Sequence, residues 1–291
     1  MAQIARISAA EIEALRQALQ PLVGVQFELL KIPREILKCF EPSQIGTIVG
    51  TLMDACIPQL STILPGNKSL GQLGLTKHAG ILGDREGYPD FQHASGKRLE
   101  LKLLYVDPIG VQMKKPPTPR EASARITQKV TVKNVVAATD VLLVLAYQLH
   151  LHAGEPELLS PTVIDLGLFP MIDCVMARDH RLTSRGGKWF GDYETPAVPS
   201  KIGRAKRVRK EACNEQVYGR KESEGHDFNE DTNFGKLKRI SLEELQRFLK
   251  KHGATYARKG SWPAPWIING GKAELAKAIA AGEPLDEDDE E

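Results

Sequence analysis

Leu99-Glu100-Leu101-Lys102-Leu103-Leu104-Tyr105-Val106 alternates apolar and charged positions. Side chains two apart in a strand share a face, so the three leucines turn to a core and Glu100 and Lys102 turn together to the other side. A polar connector containing Gly96 precedes this run, and Gly87-Tyr88-Pro89-Asp90-Phe91 precedes the connector. That order predicts two antiparallel strands joined by a turn, with Asp90 brought beside Glu100. Asp140-Val141-Leu142-Leu143-Val144-Leu145-Ala146-Tyr147 is continuously apolar after its first residue, as a central strand covered on both faces requires. Pro161–Phe169 reads as a further strand.

Helical spacing dominates the first 65 residues. Ser8 and Glu11 form a capping box that opens a helix to about Leu22, with Ile12, Leu15, Leu19 and Leu22 on one face. A short helix is expected over Arg34–Phe40, and a longer one from Ser43 to Leu64, interrupted near Pro58. Residues 66–83 carry five glycines and read as loop with a short regular piece. Toward the far end, Ser241 with Glu244 opens a helix that Gly253 closes, with Leu242, Leu245, Phe248 and Leu249 apolar on one side. Trp262–Ile268 is expected to pack back on the body, and Lys272–Ala281 to form a last short helix. The pattern predicts an α/β fold: a mixed central sheet flanked by helices, a helical N-terminal block over 1–65, and a main body over 66–282.

Composition adds little until charge is divided along the chain. The 291 residues are 42% hydrophobic and 26% charged, with a net charge of +2, an ordinary globular balance. Residues 283–291 hold seven acids and no base, and setting those aside raises residues 1–282 from +2 to +9. The body is basic, which suits a partner made of phosphates, and the acidic tail is expected to be disordered. No apolar run is long enough for a membrane span. Ala2–Ala10 does not read as a signal peptide, and four scattered cysteines without a Cys-x-x-Cys pair read as reduced thiols, so the expected location is the cytoplasm. Gly-x-x-x-x-Gly-Lys-Ser/Thr and Gly-x-Gly-x-x-Gly are missing, so no nucleotide cofactor is expected.

Two carboxylates and an ammonium gathered at one hairpin suit hydrolysis of a phosphodiester. Asp90 and Glu100 supply the oxygen ligands that Mg²⁺ prefers. The carbonyl of Leu101, between the two charged side chains, offers a further ligand. Lys102 can orient the attacking water and offset charge in the transition state. Lys114, Lys115, Arg120, Arg125 and Lys129 surround a stiff Pro-rich stretch, and Lys201, Arg204, Lys206, Arg207, Arg209 and Lys210 place six positives within ten residues. Both segments are candidate DNA contacts. Aromatic residues are only 6% of the chain, which favours duplex DNA over a stacked single strand. His150 and His152 are two residues apart and more easily read as surface side chains than as a metal pair.

Pro89-Asp90 followed by Glu100-Leu101-Lys102 resembles the signature of the PD-(D/E)XK nuclease superfamily, which includes most type II restriction endonucleases. The resemblance implies a restriction-endonuclease-like sheet, Mg²⁺ dependence, products with 5′-phosphate and 3′-hydroxyl ends, and a homodimer acting on a palindromic duplex. It also implies an additional upstream acid as metal ligand, for which Glu86 and Asp54 are the candidates. A repair or structure-specific nuclease of the same superfamily, and a non-catalytic DNA-binding protein with this fold, are the alternatives.

Overall fold

The structure is a computed structural model. It describes residues 5–64, 70, 73–81, 87–106, 113–114, 124–127, 130–132, 134–152, 154–184, 189–190, 195–196, 220–221, 226–227 and 235–253. The candidate site residues Glu86, Lys115, Arg120, Lys129, Lys201, Arg204, Lys206, Arg207, Arg209 and Lys210 lie outside these residues, as do the expected elements at Trp262–Ile268 and Lys272–Ala281 and the acidic tail.

The chain divides into two compact units. The first comprises Met1–Ala124, Ala137–Pro170 and His252–Ala254; the second comprises Arg125–Val136, Met171–Lys251 and Thr255–Glu291. The first unit is built on a six-stranded sheet: β1 (Ile32–Pro33), β2 (Leu75–Lys77), β3 (Phe91–His93), β4 (Arg98–Tyr105), β5 (Asp140–His152) and β6 (Glu155–Pro170). Their spatial order is β1-β6-β5-β4-β3-β2. Only β4 and β5 run parallel, with Glu100 opposite Leu142 and Lys102 opposite Val144. The other pairs are antiparallel. The sheet is therefore mixed, as the alternation and the apolar run predict.

β5 is the centre of this unit. Val141 to Tyr147 are all at 0% exposure, which explains why this stretch carries no alternation: both of its faces are dry. It runs five residues beyond the predicted end, to His152, because β6 pairs with it along that length, with register shifts at Ala146/Tyr147 and Leu151/His152. β6 likewise begins six residues before the expected Pro161. Its early part is polar and holds Pro156, so local pattern hides it; the long partner strand recruits it.

Helices α1 (Ala9–Leu19), α2 (Arg34–Leu37), α3 (Pro42–Cys56) and α4 (Leu60–Ile63) precede β2. The capping box at α1 is formed: Ser8 Oγ accepts from the Glu11 amide, and the Glu11 carboxylate accepts from the Ser8 amide at 2.8 Å. Pro21 turns the end of this helix into a 3₁₀ segment, Gln20–Leu22. α2 covers only Arg34–Leu37 of the expected Arg34–Phe40. α3 starts one residue before the expected Ser43 cap, because Glu41 and Gln44 form the capping box and Pro42 occupies the first turn. Leu15, Leu19, Ile45, Val49 and Met53 join Leu99, Leu101, Val141 and Leu143 in one apolar core.

Gly46, Gly50 and Asp54 recur every fourth residue on α3 and so share a face. A Cβ on Gly46 would stand 3.7 Å from the Tyr147 hydroxyl, and one on Gly50 would stand 3.8 Å from Leu103 Cδ1. The two glycines lay this face of α3 directly on β4 and β5, and the next turn delivers Asp54. Both separations are ordinary van der Waals distances, so Gly50→Ala is expected to stabilise the protein by about 0.5–1 kcal/mol through the gain in helix propensity. Denaturant unfolding measures it; a loss of stability would show that the helix is seated more tightly than the geometry indicates.

The second unit contains α5 (Met171–Ser184) and α6 (Glu243–Lys251). Arg178 is buried on α5 and donates to the carbonyls of Thr127 and Val130, both at 2.6 Å. Gly235 adopts φ +74, and a Cβ there would fall 2.1 Å from the Ile126 carbonyl oxygen, so only glycine fits. Gly253 follows α6 with φ +66, the left-handed end expected of it.

Candidate active site

The β3–β4 hairpin forms as the spacing predicts. Phe91 pairs with Leu99 and Gln92 with Arg98, and Gly96 turns the chain at φ +81. Asp90 stands one residue before β3. Its amide donates to the Leu99 carbonyl at 2.9 Å, and its side chain replaces the missing next rung of the ladder: Oδ2 accepts from the Leu101 amide at 2.7 Å. A strand residue directs its N–H and C=O to the same edge, so the Leu101 carbonyl also points to the edge where Asp90 lies. That is the placement the metal-ligand reading of Leu101 needs.

Glu100 and Lys102 share a face of β4. The Lys102 ammonium donates to Glu100 Oε1 at 2.6 Å. Contrary to the simplest reading of the alternation, this face is not open to solvent. Glu100 is 4% exposed, and Leu104 on the same face is 1% exposed. Its second oxygen, Oε2, is buried and has no hydrogen-bond partner. An anionic oxygen in that state is costly, and the cost appears in its titration. Burial pushes the Glu100 carboxyl up to about 7; the nearby Asp90 adds to the rise and Lys102 opposes it. Burial also raises Asp90, again against the pull of Lys102. For Lys102, burial disfavours the ammonium, but the carboxylates of Glu100 and Asp90 outweigh it and its pKa lies above the ordinary lysine value.

Asp54 and Lys77 form an ion pair on the α3 side of the sheet, the face of Phe91 and Leu99 and opposite to that of Glu100 and Lys102. Asp54 arrives from α3 and lies within electrostatic reach of Asp90 and Lys102. Lys77, the last residue of β2, donates to Asp54 Oδ2 at 2.6 Å and sits 4.9 Å from the centroid of the Phe91 ring. Lys77 reaches Asp90 and Glu100 electrostatically. Sequence reasoning reached Asp54 through the family resemblance and missed Lys77, whose three-residue strand lies in a glycine-rich stretch with no periodicity.

A second polar group sets the approach to Asp90. Asp140, at the start of β5 and 1% exposed, accepts from the Tyr88 hydroxyl at 2.5 Å, from Arg98 Nε at 2.6 Å and from Thr139 Oγ1 at 2.9 Å. Tyr88 is two residues before Asp90, and Arg98 is two before Glu100. The parallel register Arg98↔Asp140 places this anchor beside the hairpin. Nothing in local pattern distinguishes Asp140 from any polar residue at a strand start.

Among the described residues, no three or more His, Cys, Asp or Glu side chains stand together as a ready-made metal cage. A Mg²⁺ ion does not need one, since it keeps several waters and takes one or two carboxylates. The partnerless Glu100 Oε2, the adjacent Asp90 carboxylate and the direction of the Leu101 carbonyl fit such an ion.

The remaining candidates are dispersed. Lys114 is exposed and its amide donates to the Phe40 carbonyl. Arg125 is exposed in the second unit, bridged to Lys236. His150 meets Gln148, and His152 lies 3.2 Å from Glu155 and 3.6 Å from Glu28. Cys39, Cys56 and Cys174 are free thiols. Among the described residues, no helix is long and apolar enough to cross a membrane. No family model, curated protein or solved structure matches the chain.

Proposed function

We propose that this protein is a Mg²⁺-dependent endonuclease that hydrolyses phosphodiester bonds of duplex DNA in the manner of PD-(D/E)XK enzymes, and that its role is that of a type II restriction endonuclease working as a homodimer. The observation that carries the chemistry is the convergence of Asp90, Glu100 and Lys102, with one Glu100 oxygen buried without a partner. The DNA reading and the homodimer rest on the basic body and on the family resemblance.

Asp90, Glu100 and the Leu101 carbonyl would hold the ion. A bound Mg²⁺ supplies Lewis acidity at a phosphoryl oxygen and a water of lowered pKa. The chain's own residues do the rest. Lys102 stays an ammonium at neutral pH, because the neighbouring carboxylates hold its proton. It therefore acts as a hydrogen-bond donor, not a base: it orients the water and offsets negative charge that grows on the phosphorane-like transition state. The buried, low-dielectric wall around Glu100 strengthens each of these interactions.

Metal affinity should depend on pH. Glu100 must lose its proton to bind the ion, and its folded-state pKa of about 7 lies above the ordinary 4.5. Affinity for Mg²⁺ is expected to rise from pH 6 to pH 8 and then level off. The metal-free protein should respond with the opposite sign. The stability that Glu100 contributes is fully present below about 4.5 and is lost as pH rises through about 7, because the folded state holds the proton longer than the unfolded chain. Calorimetric Mg²⁺ titrations across this range check the first trend; pH-independent affinity would contradict it.

Incubation with unmodified phage DNA, with and without Mg²⁺ and beside Asp90→Ala, tests the biological role. Discrete fragments that require Mg²⁺ and vanish in the variant are expected. A smear lost in the variant would move the reading to repair or degradation. No cleavage of unmodified, methylated or branched DNA would leave only a DNA-binding module.

A further inference from the structure

β2 ends the sheet with main-chain groups turned outward. The Gly74 carbonyl accepts from the Ala94 amide at 2.8 Å, and the His78 amide donates to the Asp90 carbonyl at 3.0 Å. Thr76 stands between them, opposite Gln92. The N–H and C=O of one residue point to one edge, and that edge alternates along the strand. Gly74, Thr76 and His78 therefore face β3, while Leu75 and Lys77 direct theirs away from it. Among the described residues, no strand lies beyond β2 and no hydrogen bond reaches those outward groups. Such an edge is a template for another strand. A lysine often guards one, but the Lys77 ammonium is held by Asp54 at 2.6 Å and rests over the Phe91 ring. Its charge is turned to α3, not to the edge.

The outward groups have a symmetry. Leu75 and Lys77 flank Thr76, so the same strand laid antiparallel, Thr76 against Thr76, pairs Leu75 of each copy with Lys77 of the other. A two-fold axis perpendicular to the sheet generates that pairing. The exposed Thr76 side chains then meet as a close, non-hydrogen-bonded pair, a combination that stabilises antiparallel strands. The flanks match as well. A groove of about 450 Å³ lies at one end of β2, with Ile57, Leu70, Leu73 and Leu75 in its wall. Beyond the other end, the Ile81 amide donates to the Tyr88 carbonyl at 2.7 Å, and Ile81 is 46% exposed. An antiparallel partner centred on Thr76 brings Ile81 across from position 71, between Leu70 and Leu73 of the second copy.

We propose that the β2 edge is the contact between two copies of this chain, paired antiparallel about Thr76 into one continuous sheet, with Ile81 of each seated in the groove of the other. This rests on the homodimer of the proposed function and gives it a surface. The pairing has a consequence for that function. Thr76 shares a face with Gln92 and Arg98 through the register, and so with Glu100 and Lys102. An axis perpendicular to the sheet keeps that face on one side in both copies. The two acid–lysine sites then lie on the same side of the joined sheet, as a two-fold site on a duplex requires.

Sedimentation velocity of the full-length protein tests the contact, with Thr76→Glu, Thr76→Lys, their equimolar mixture and Ile81→Asp. Wild type is expected to be a dimer at micromolar concentration. Thr76→Glu and Thr76→Lys each set like charges against one another at the axis, and each should dissociate about tenfold more readily. Mixed, they should recover the wild-type dimer, which a merely misfolded edge would not do. Ile81→Asp, which would bury a carboxylate in the groove, should weaken the dimer at least as much. A dimeric wild type that all the variants leave unchanged would overturn the β2 contact and leave the homodimer to another surface. Charged variants whose mixture stays as weak as either alone would overturn it too. A wild type that stays monomeric, alone and with duplex DNA, would overturn the homodimer reading and the inference together.

Discussion

Glu100→Gln is expected to abolish Mg²⁺-dependent cleavage while leaving the metal-free protein more stable at pH 8. The two effects share one cause. Glu100 is almost fully buried, one of its oxygens has no partner, and its carboxyl is pushed up to about 7. Holding it ionised therefore costs the fold free energy above neutral pH, and an amide of the same shape removes that cost. The Gln carbonyl can still accept from Lys102, which also keeps Asp90 as a neighbour. A gain of about 1 kcal/mol is expected, well below the full value of the shift, because Lys102 loses part of its attraction. Activity should fall by about 10³-fold or more, since an amide is a poor ligand for a hard cation and no other described residue replaces that anionic oxygen. Thermal unfolding at pH 8 and single-turnover cleavage read the two effects. A variant that is both inactive and strongly destabilised would mean that Glu100 is a structural residue.

Asp140→Ala should give the largest loss of stability in the first unit. Asp140 accepts from the Arg98 guanidinium and from the Tyr88 hydroxyl. Arg98 is only 18% exposed at its side chain. Removing the aspartate takes an anionic acceptor from a poorly solvated cation and from a buried hydroxyl, and breaking a buried pair in this way costs about 3–5 kcal/mol. Tyr88→Phe, which removes one hydroxyl and leaves the ion pair, should cost only about 1–2 kcal/mol. Denaturant unfolding of both variants tests the ordering. Equal small losses would show that Asp140 is not the anchor of the hairpin. Because Tyr88 and Arg98 each lie two residues from a catalytic carboxylate, Asp140→Ala should also lower cleavage in the fraction that remains folded.

The two predictions differ in how far their residues could be read from the chain. Glu100 announces itself. It alternates with leucines, shares a face with Lys102, and follows Pro89-Asp90 at a hairpin's distance, so a period of two and a turn residue suffice to place it. The central strand was equally legible at Val141–Tyr147, since seven successive apolar residues have no other economical use. Asp140 was not legible as an anchor, because its importance comes from a parallel register with Arg98 that joins positions 42 residues apart. Lys77 was hidden for the same reason: β2 is three residues long, and only pairing with β3 sets it opposite Phe91. Asp54 lay in plain sight on α3, but nothing local says which face of that helix meets the sheet. The two glycines that precede it at four-residue steps are the signal that could have found it, since they mark where α3 comes close. The burial of Glu100 could not be read either. Alternation assigns a residue to a face; it does not say whether another layer covers that face.

The most direct measurement is cleavage of supercoiled plasmid by the purified protein in Mg²⁺, beside Asp90→Ala, Glu100→Gln and Lys102→Ala, with the ends of the products identified. The account predicts nicked and linear DNA with 5′-phosphate and 3′-hydroxyl ends from wild type in Mg²⁺, none in chelator, and none from the three variants while their folds remain intact. Cleavage that persists in Asp90→Ala or Lys102→Ala, or that proceeds equally in chelator, would contradict it.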